Sequence, residues 1–324
     1  SGHRVVASLA PELEVVDRPQ LADLLTPAQR HFIPAELHAS IYPGKPRIAI
    51  LGTGREGQAA WRYLRAQDPE RSLVLFDEAE PDTAFREALG PADHLHYGPL
   101  DEAPLSDFDL LVRSPGISLY RPGLLAARRA GVRITSPSNL WFAAHPDQKT
   151  ICISGTKGKS TTSALLAHLL RHCGYRVQLA GNIGRPLLDC DDERVDWWVI
   201  ELSSYQLADL DAQPDIALLL NLSPEHLDWH GSEDAYMRDK LRLAELAGER
   251  PVVANASDTL LRNALADYRL VKWFNSQQGI HVKSGRLFDG DSPLDVVMPD
   301  SMPGVHNLAN LAAALTALQL TGAK

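Results

Sequence analysis

A chain of 324 residues, 44% of them apolar and with a formal net charge of −9, can bury a sizeable core and has room for two domains but little more. The acidic balance, without any basic run, argues against nucleic acid as a main partner, and no apolar run approaches the roughly 18 residues of a membrane span. Cys152, Cys173 and Cys190 have no metal-ligand spacing, which fits a reduced cytoplasmic setting.

The Ser1-Gly2-His3 start lacks Met, carries no signal peptide and reads as a cloning remnant. Residues 1–45 are punctuated by Pro11, Pro19, Pro27 and Pro34. They read as an appended arm with a short helix around residues 21–25. Residues 47–51 form a buried strand. Gly52-Thr53-Gly54-Arg55-Glu56-Gly57 follows at once and opens a helix running to residue 66. The next strand, 72–76, ends in Asp77. Strand, Gly-x-Gly-x-x-Gly, helix and a distant acidic residue together make a dinucleotide fingerprint. NAD is its obvious ligand. A strand at 109–113, a helix at 122–130 and a strand at 132–135 extend a small doubly wound sheet. Ser114-Pro115-Gly116 sits at a strand C-terminus, where ligands lie in open α/β sheets; an ordinary turn is the alternative. A connecting helix at 139–145 and a linker at 146–148 close the first domain, residues 46–146.

The second domain, residues 147–324, opens on Ile151-Cys152-Ile153-Ser154-Gly155-Thr156-Lys157-Gly158-Lys159-Ser160-Thr161. An apolar strand turns through two glycines into a helix read over 164–172. Backbone N–H groups in such a turn, with the unpaired amides of a helix start, make an anion cradle. Lys159 adds a point charge for phosphate oxygens, and Ser160 places a hydroxyl where a phosphate-bound Mg²⁺ would sit. The spacing is shorter than the general P-loop, because Ile153 stands at the outer glycine position. Strands at 176–180, 197–202 and 216–221 follow, the last two as continuous apolar runs. After them come a strand at 251–254, a helix at 258–266 and a strand at 270–275. Antiparallel hairpins at 279–297 turn at Ser284-Gly285 and Asp289-Gly290, and a helix at 307–320 closes the chain.

Polar residues at these strand ends carry the chemistry. Glu201 ends an apolar strand beside the phosphate cradle and is placed to hold Mg²⁺. Ser203, Ser204 and Gln206 follow on its loop, either as site residues or as an N-cap cluster. His226 stands just beyond the next strand. Lys240 falls on the apolar stripe of a helix at 232–247, capped by Ser232 with acidic Glu233 and Asp234 in its first turn. An inward ammonium must be paired, lose its proton, or snorkel to water. A neutral amine there can capture CO₂ as a carbamate, which turns a cation into a Mg²⁺ ligand. Asn307 and Asn310 share a helix face and either hydrogen-bond a base or cap the helix.

As a set, Gly155–Thr161, Gly181-Asn182-Ile183-Gly184, Glu201-Leu202-Ser203-Ser204-Tyr205-Gln206-Leu207, Glu225-His226-Leu227-Asp228, Lys240 and His306-Asn307-x-x-Asn310 resemble the Mur ligase family in order and spacing, from residue 47 onward. Within that family the chain is most similar to the members that add glutamate to a UDP-muramoyl-alanine. The resemblance implies an α/β protein with a Rossmann-like domain, a P-loop-type ATP domain and a small antiparallel β portion. It implies that the glycine-rich domain holds UDP rather than NAD, with Gly54, Arg55, Glu56, Asp77, Ser114, Pro115 and Gly116 around it. Asn182, Ser203 and His226 would guide the muramoyl-alanine. Gly155, Thr156, Lys157, Gly158, Lys159, Ser160, Thr161, Asn307 and Asn310 would bind ATP. Ser160, Glu201, His226 and carbamylated Lys240 would hold Mg²⁺, with Lys159, His226 and Lys240 catalytic.

The implied protein is a cytoplasmic monomer that makes a peptidoglycan precursor, with ATP and Mg²⁺ as cofactors and no nucleic-acid or membrane partner. Lys157 replaces the family's usual Asn and Glu225 its usual Asp, which brings the L-glutamate-adding variant alongside the D-glutamate enzyme. The family's third domain is expected to be missing after Lys324, which would leave this chain inactive. Three rivals are weighed: a folylpolyglutamate synthase, which residues 47–140 oppose; an NAD-dependent dehydrogenase, which leaves Lys159, Glu201 and Lys240 unexplained; and a non-catalytic UDP-sugar-binding fragment.

Overall fold

Strand β1 (Ile48–Leu51) is apolar and buried at every position, because a central parallel strand is covered on both faces. Around it β2 (Leu73–Asp77), β3 (Asp93–Tyr97), β4 (Leu110–Arg113) and β5 (Arg133–Thr135) form a parallel sheet in the order β3-β2-β1-β4-β5. Helices α1 (Arg55–Gln67), α2 (Thr83–Ala88) and α3 (Pro122–Arg129) lie between these strands in the chain. Alternate β1 residues serve opposite faces. Ile48 and Ile50 pack with Trp61 and Phe85, whereas Ala49 and Leu51 pack with Leu124 and Ala127. This computed structural model describes residues 46–323, apart from 191–193, 224, 226, 297–301 and 303. The N-terminal arm, with the helix expected at 21–25, lies outside the described residues.

Helix α4 (Pro137–Ala144), whose cap is Ser136, leads into a second parallel sheet. Its strands are β6 (Thr150–Ser154), β7 (Val177–Gly181), β8 (Trp197–Glu201), β9 (Ile216–Leu219), β10 (Val252–Asn255) and β11 (Val271–Phe274), in the order β11-β10-β9-β6-β8-β7. The helices of this half are α5 (Lys159–His172), α6 (Ser204–Leu207), α7 (Leu227–His230), α8 (Glu233–Ala247), α9 (Thr259–Ala264) and α10 (Val305–Leu320). On one face Ile151, Ile153, Val199 and Leu218 bury against Leu166 and Leu170 of α5 and Leu311 of α10. On the other, Cys152, Trp198 and Ile200 meet Trp141 and the α8 residues Leu243 and Ala244. Strands β12 (Ile280–Lys283), β13 (Arg286–Asp289) and β14 (Ser292–Pro293) make the small antiparallel sheet. Ser284 and Gly285, at φ 49° and 72°, form the two-residue turn between β12 and β13, where positive φ suits the strand twist. No helix among the described residues is long and apolar enough to cross a membrane.

The α/β architecture is the one the sequence implies. The differences are local. Helix α5 begins at Lys159 rather than at residue 164, because Gly158 takes a left-handed φ of 85° as its cap and the polar Lys159–Thr162 run forms its first turn. Helix α1 begins at Arg55, which puts Gly57 inside it. A Cβ on Gly57 would stand 1.8 Å from the Gly52 carbonyl oxygen, so this glycine lets helix and strand approach. The sequence reading missed α2 and β3. Strand β3 is an edge strand with mostly exposed side chains, and so has no apolar alternation to show.

From Arg47 onward the chain is one compact unit, and a buried ion pair helps to join its two parallel sheets. Arg113, fully buried at the end of β4, pairs with Asp209 at 2.8 Å. Its guanidinium also donates to the carbonyls of Ile117 (2.6 Å) and Tyr205 (3.0 Å). Removing one partner of such a pair leaves a buried charge uncompensated. Arg113→Ala should therefore lower the unfolding free energy by about 3–5 kcal/mol in urea titrations, and adding Asp209→Leu should recover part of the loss. A loss below about 1 kcal/mol, the scale of exposed pairs, would contradict this role.

Candidate functional site

The loop after β6 is held from beneath by the residues that follow β9. Thr156 donates its backbone N–H to the Asn221 carbonyl (3.0 Å). Lys157 N–H donates to Asn221 Oδ1 (2.8 Å), and Asn221 Nδ2 donates back to the Lys157 carbonyl (2.9 Å). The Thr156 hydroxyl donates to the Ser223 carbonyl (3.1 Å), accepts from Ser223 N–H (3.0 Å), and lies 2.9 Å from the Tyr236 hydroxyl. Gly158 lies against Asn310, whose Oδ1 would be 2.5 Å from a Cβ at that position. Ser160 is exposed on the first turn of α5.

Two lysine amines converge on one carbonyl oxygen. Lys159 Nζ donates to the carbonyls of Gly155 (2.8 Å) and Thr156 (3.0 Å). Lys240 Nζ donates to the same Gly155 oxygen (2.6 Å). Lys240 is only 3% exposed. Burial, then repulsion from Lys159, pulls its pKa down to about 7, against the attraction of Glu225 and Glu201. Burial also lowers the pKa of Lys159, again opposed by Glu201 and Glu225. The Ser232 cap and the inward face expected for Lys240 are both present in α8.

Glu201 ends β8 next to this pair and is 1% exposed. Its Oε1 accepts from Asn182 Nδ2 (2.8 Å), while its buried Oε2 has no hydrogen-bond partner among the described residues. An unpartnered buried carboxylate oxygen is costly and is a suitable donor for a hard cation such as Mg²⁺. Among the described residues no cluster of three or more His, Cys, Asp or Glu is arranged to hold a metal, so a cation here would draw on phosphate, hydroxyl or carbamate oxygens as well. His226 lies outside the described residues.

Beside the loop, Lys157, Gly158, Leu220, Asn221, Asn255, Phe274, His306, Ala309 and Asn310 line a cavity of about 270 Å³. The cap of α10 is the backbone of Gly304, without side-chain help. Asn310 Nδ2 donates to Asn307 Oδ1 (3.3 Å). Ser203 does cap, since it and Gln206 make the reciprocal capping box at the start of α6.

A second cleft, about 390 Å³, opens where strand order reverses in the first sheet, between the ends of β1 and β4, as is usual for ligand crevices in such sheets. Gly54, Arg55, Glu56, Asp77, Ser114, Pro115, Gly116, Asn182 and Ser203 all line it, with Tyr205 and Gln206. Asp77 accepts from the Thr53 N–H (2.5 Å) and hydroxyl (2.7 Å). Burial opposes its ionisation, but hydrogen bonds from Thr53, Ala79 and Glu78 outweigh that and hold its pKa below the ordinary value. Glu56 behaves oppositely. Burial, with Asp189 nearby and Arg55 opposing, pushes its carboxyl up to about 7. Asn182 lines this cleft and binds Glu201, so it links the two sites.

The sequence reading assigned no role to Asn221, Arg113, Asp209, His230 or Asp239. Asn221 had a signal, since it closes an apolar strand as Glu201 does. The others act through contacts across the chain that no local pattern marks.

Two family profiles match the chain: "Mur ligase middle domain" over residues 153–318 and "Mur ligase MurD-like, N-terminal domain" over residues 46–136. A protein of Xanthomonas oryzae pv. oryzae (strain MAFF 311018), named UDP-N-acetylmuramoyl-L-alanine--L-glutamate ligase, is 44% identical over 296 residues, 88% of this chain and 63% of the relative. The protein of that name from Xylella fastidiosa (strain 9a5c) is 41% identical over 286 residues, 85% of this chain and 61% of its own length. This chain thus spans just over three-fifths of the length of these curated relatives. In fold it is similar to the crystal structure of UDP-N-acetylmuramate:L-alanyl-gamma-D-glutamyl-meso-diaminopimelate ligase from Neisseria meningitides, with TM-score 0.57, 19% identity and coverage of 86% of this chain and 94% of that one. It is also similar to MurF from Acinetobacter baumannii, with TM-score 0.51, 17% identity and coverage of 84% and 59%.

The buried amine of Lys240 has a pH consequence. Its pKa falls from 10.5 unfolded to about 7 folded, so between those values the unfolded chain binds more protons and stability rises with pH. The deficit is fully present at low pH and fades upward from about 7. Relative to Lys240→Met, the parent should gain up to about 1.4 kcal/mol per pH unit across that window in urea unfolding at a series of pH values. Parallel pH profiles for the two proteins would contradict it.

Proposed function

This chain belongs to the Mur ligase family, and from that premise we propose that it is the nucleotide- and substrate-holding part of a ligase that joins L-glutamate to UDP-N-acetylmuramoyl-L-alanine in peptidoglycan precursor synthesis. The observation that carries this reading is the convergence of the Lys159 amine and the buried Lys240 amine on the Gly155 carbonyl, beside a Glu201 oxygen that has no hydrogen-bond partner among the described residues. Such a site is built to neutralise transferring phosphate. L-glutamate is favoured over D-glutamate because the relatives reported above carry L-glutamate in their names. In this reading residues 46–146 hold the UDP end, residues 147–324 hold ATP, and the protein works in the cytoplasm as a monomer.

The reaction has two steps. The terminal carboxylate of the muramoyl-alanine takes the γ-phosphoryl group of ATP, releasing ADP and forming an acyl phosphate. The glutamate amine then attacks the acyl carbon, loses a proton and expels phosphate, leaving an amide. In the first step both attacking and leaving groups are anionic oxygens, so charge neutralisation is the main task. Lys159 releases its loop carbonyls and meets the β- and γ-phosphates, which the backbone of Gly155 to Thr161 cradles. The 270 Å³ cavity with Asn307 and Asn310 nearby takes the adenine. In the second cleft Gly54, Arg55, Glu56, Asp77 and Ser114 to Gly116 surround the UDP, and Asn182 and Ser203 aim the alanine carboxylate toward Glu201. A Glu56 that carries its proton near neutral pH can donate to a diphosphate oxygen instead of repelling it.

Ser160, Glu201, His226 and Lys240 are the groups that would hold Mg²⁺, which supplies positive charge to the phosphate oxygens. Neutral Lys240 attacks CO₂, forming an N–C bond and losing one proton, to give an anionic carbamate. The carbamate attracts Lys159, which the ammonium form of Lys240 would repel.

Incubating the complete protein with UDP-N-acetylmuramoyl-L-alanine, ATP and MgCl₂ should give an amide product with L-glutamate and none with D-glutamate, resolved by chiral chromatography. Product from D-glutamate alone would reverse the stereochemical assignment, and none from either isomer would refute the ligase. In the same protein Lys240→Ala should lose activity, which short carboxylates partly restore by replacing the anion. Lys240→Arg, which fills the space with a cation, should resist rescue. Wild-type activity in Lys240→Ala would rule out the carbamate.

A further inference from the structure

His230 is 2% exposed and bonded through both ring nitrogens. Nδ1 lies 2.6 Å from Asp239 Oδ2, and Nε2 lies 3.0 Å from Ser204 Oγ. A carboxylate only accepts, so Nδ1 carries the proton and, in the neutral ring, the serine hydroxyl donates to Nε2. The order Ser-His-Asp matches that of hydrolytic triads. Here it cannot act as one, since Ser204 is 3% exposed and no substrate reaches its oxygen. What the chain of bonds joins is more informative. Asp239 precedes Lys240 on α8. Ser204 opens α6, three residues beyond Glu201 at the end of β8. Tyr120, from the first half, donates to the same Asp239 carboxylate at 3.1 Å. Edge-on contact with Tyr236, at 5.2 Å between ring centroids, fixes the plane of the imidazole.

We propose that His230 is a positioning residue that sets the two sides of the cation site against each other: through Asp239 it fixes the turn of α8 that carries Lys240, and through Ser204 it fixes the turn that follows Glu201. Side chains that orient the ligands of a cation are worth about 10–100-fold in its affinity when removed. The inference rests on the ligase reading above, because it needs Mg²⁺ and ATP to bind between these elements.

The test is calorimetric titration of the full chain with ATP over a series of MgCl₂ concentrations, in the parent and in His230→Phe, which keeps an aromatic ring against Tyr236 and removes both hydrogen bonds. The expected result is a rise of about tenfold or more in the Mg²⁺ concentration needed for half-maximal binding, with ATP affinity at saturating Mg²⁺ little changed. An unchanged Mg²⁺ requirement in a folded variant overturns the inference. So does an equal loss at all Mg²⁺ concentrations, which is what a purely structural role would give. Should His230→Phe fail to fold, Ser204→Ala removes one bond only and must shift the Mg²⁺ requirement in the same direction. No shift there also overturns the inference. A parent that binds no ATP at any Mg²⁺ concentration overturns the ligase reading and this inference with it.

Discussion

Two lysine amines share one carbonyl oxygen, and the rest of the site answers to that fact. Lys159, which is half-buried, and Lys240, which is buried, both donate to Gly155. Coulomb repulsion at such separations is costly once solvent is removed. The protein meets the cost by lowering the pKa of both amines, chiefly through burial, and by bringing Glu201 and Glu225 near. The arrangement is therefore relieved by adding negative charge, as phosphate, as carbamate, or as both. A site of this kind gains most from a triphosphate, and it gains more as charge develops on the transferred group.

In the proposed reading the two clefts serve one reaction, and the geometry connects them. One opens at the order reversal of the first sheet, and the other lies beside the loop that follows β6 in the next sheet. Asn182 lines the cleft of the first sheet and holds the carboxylate of Glu201 at the end of β8. The Arg113–Asp209 pair and its carbonyl contacts brace the same junction. Trp229 adds to it, donating its indole N–H to the Gly116 carbonyl at 3.2 Å and stacking on Tyr205 at 4.6 Å. A substrate held by its nucleotide end in one cleft would thus present its far end at a fixed distance from the other. Effective concentration of that kind can supply several kcal/mol of the barrier.

Much of this was legible in the sequence, and the reasons are physical. Continuous apolar strands ending in glycine or a polar residue, such as Ile151–Ser154 and Trp197–Glu201, are unambiguous because a doubly covered strand tolerates little else. Lys240 stood out because charge on an apolar helical stripe conflicts with burial. The first turn of α5 was harder, since Lys159 to Thr162 is polar and helix propensity says little about a capped end. Edge strand β3 gave no signal because its side chains meet solvent. Arg113 and Asp209 are 96 residues apart, and His230 with Ser204 is a long-range pair as well. Such polar networks depend on tertiary placement, which a single sequence does not encode locally.

The central claim is that the glycine-rich cleft of the first sheet serves a UDP-linked acid, despite its dinucleotide-type fingerprint, and works together with the phosphate loop. Equilibrium titration of this chain with UDP-N-acetylmuramoyl-L-alanine and, separately, with NADH tests it most directly. The account predicts saturable binding of the UDP compound, weakened by Asn182→Ala, and no saturable change in NADH fluorescence. Saturable NADH binding with no response to the UDP compound would contradict it.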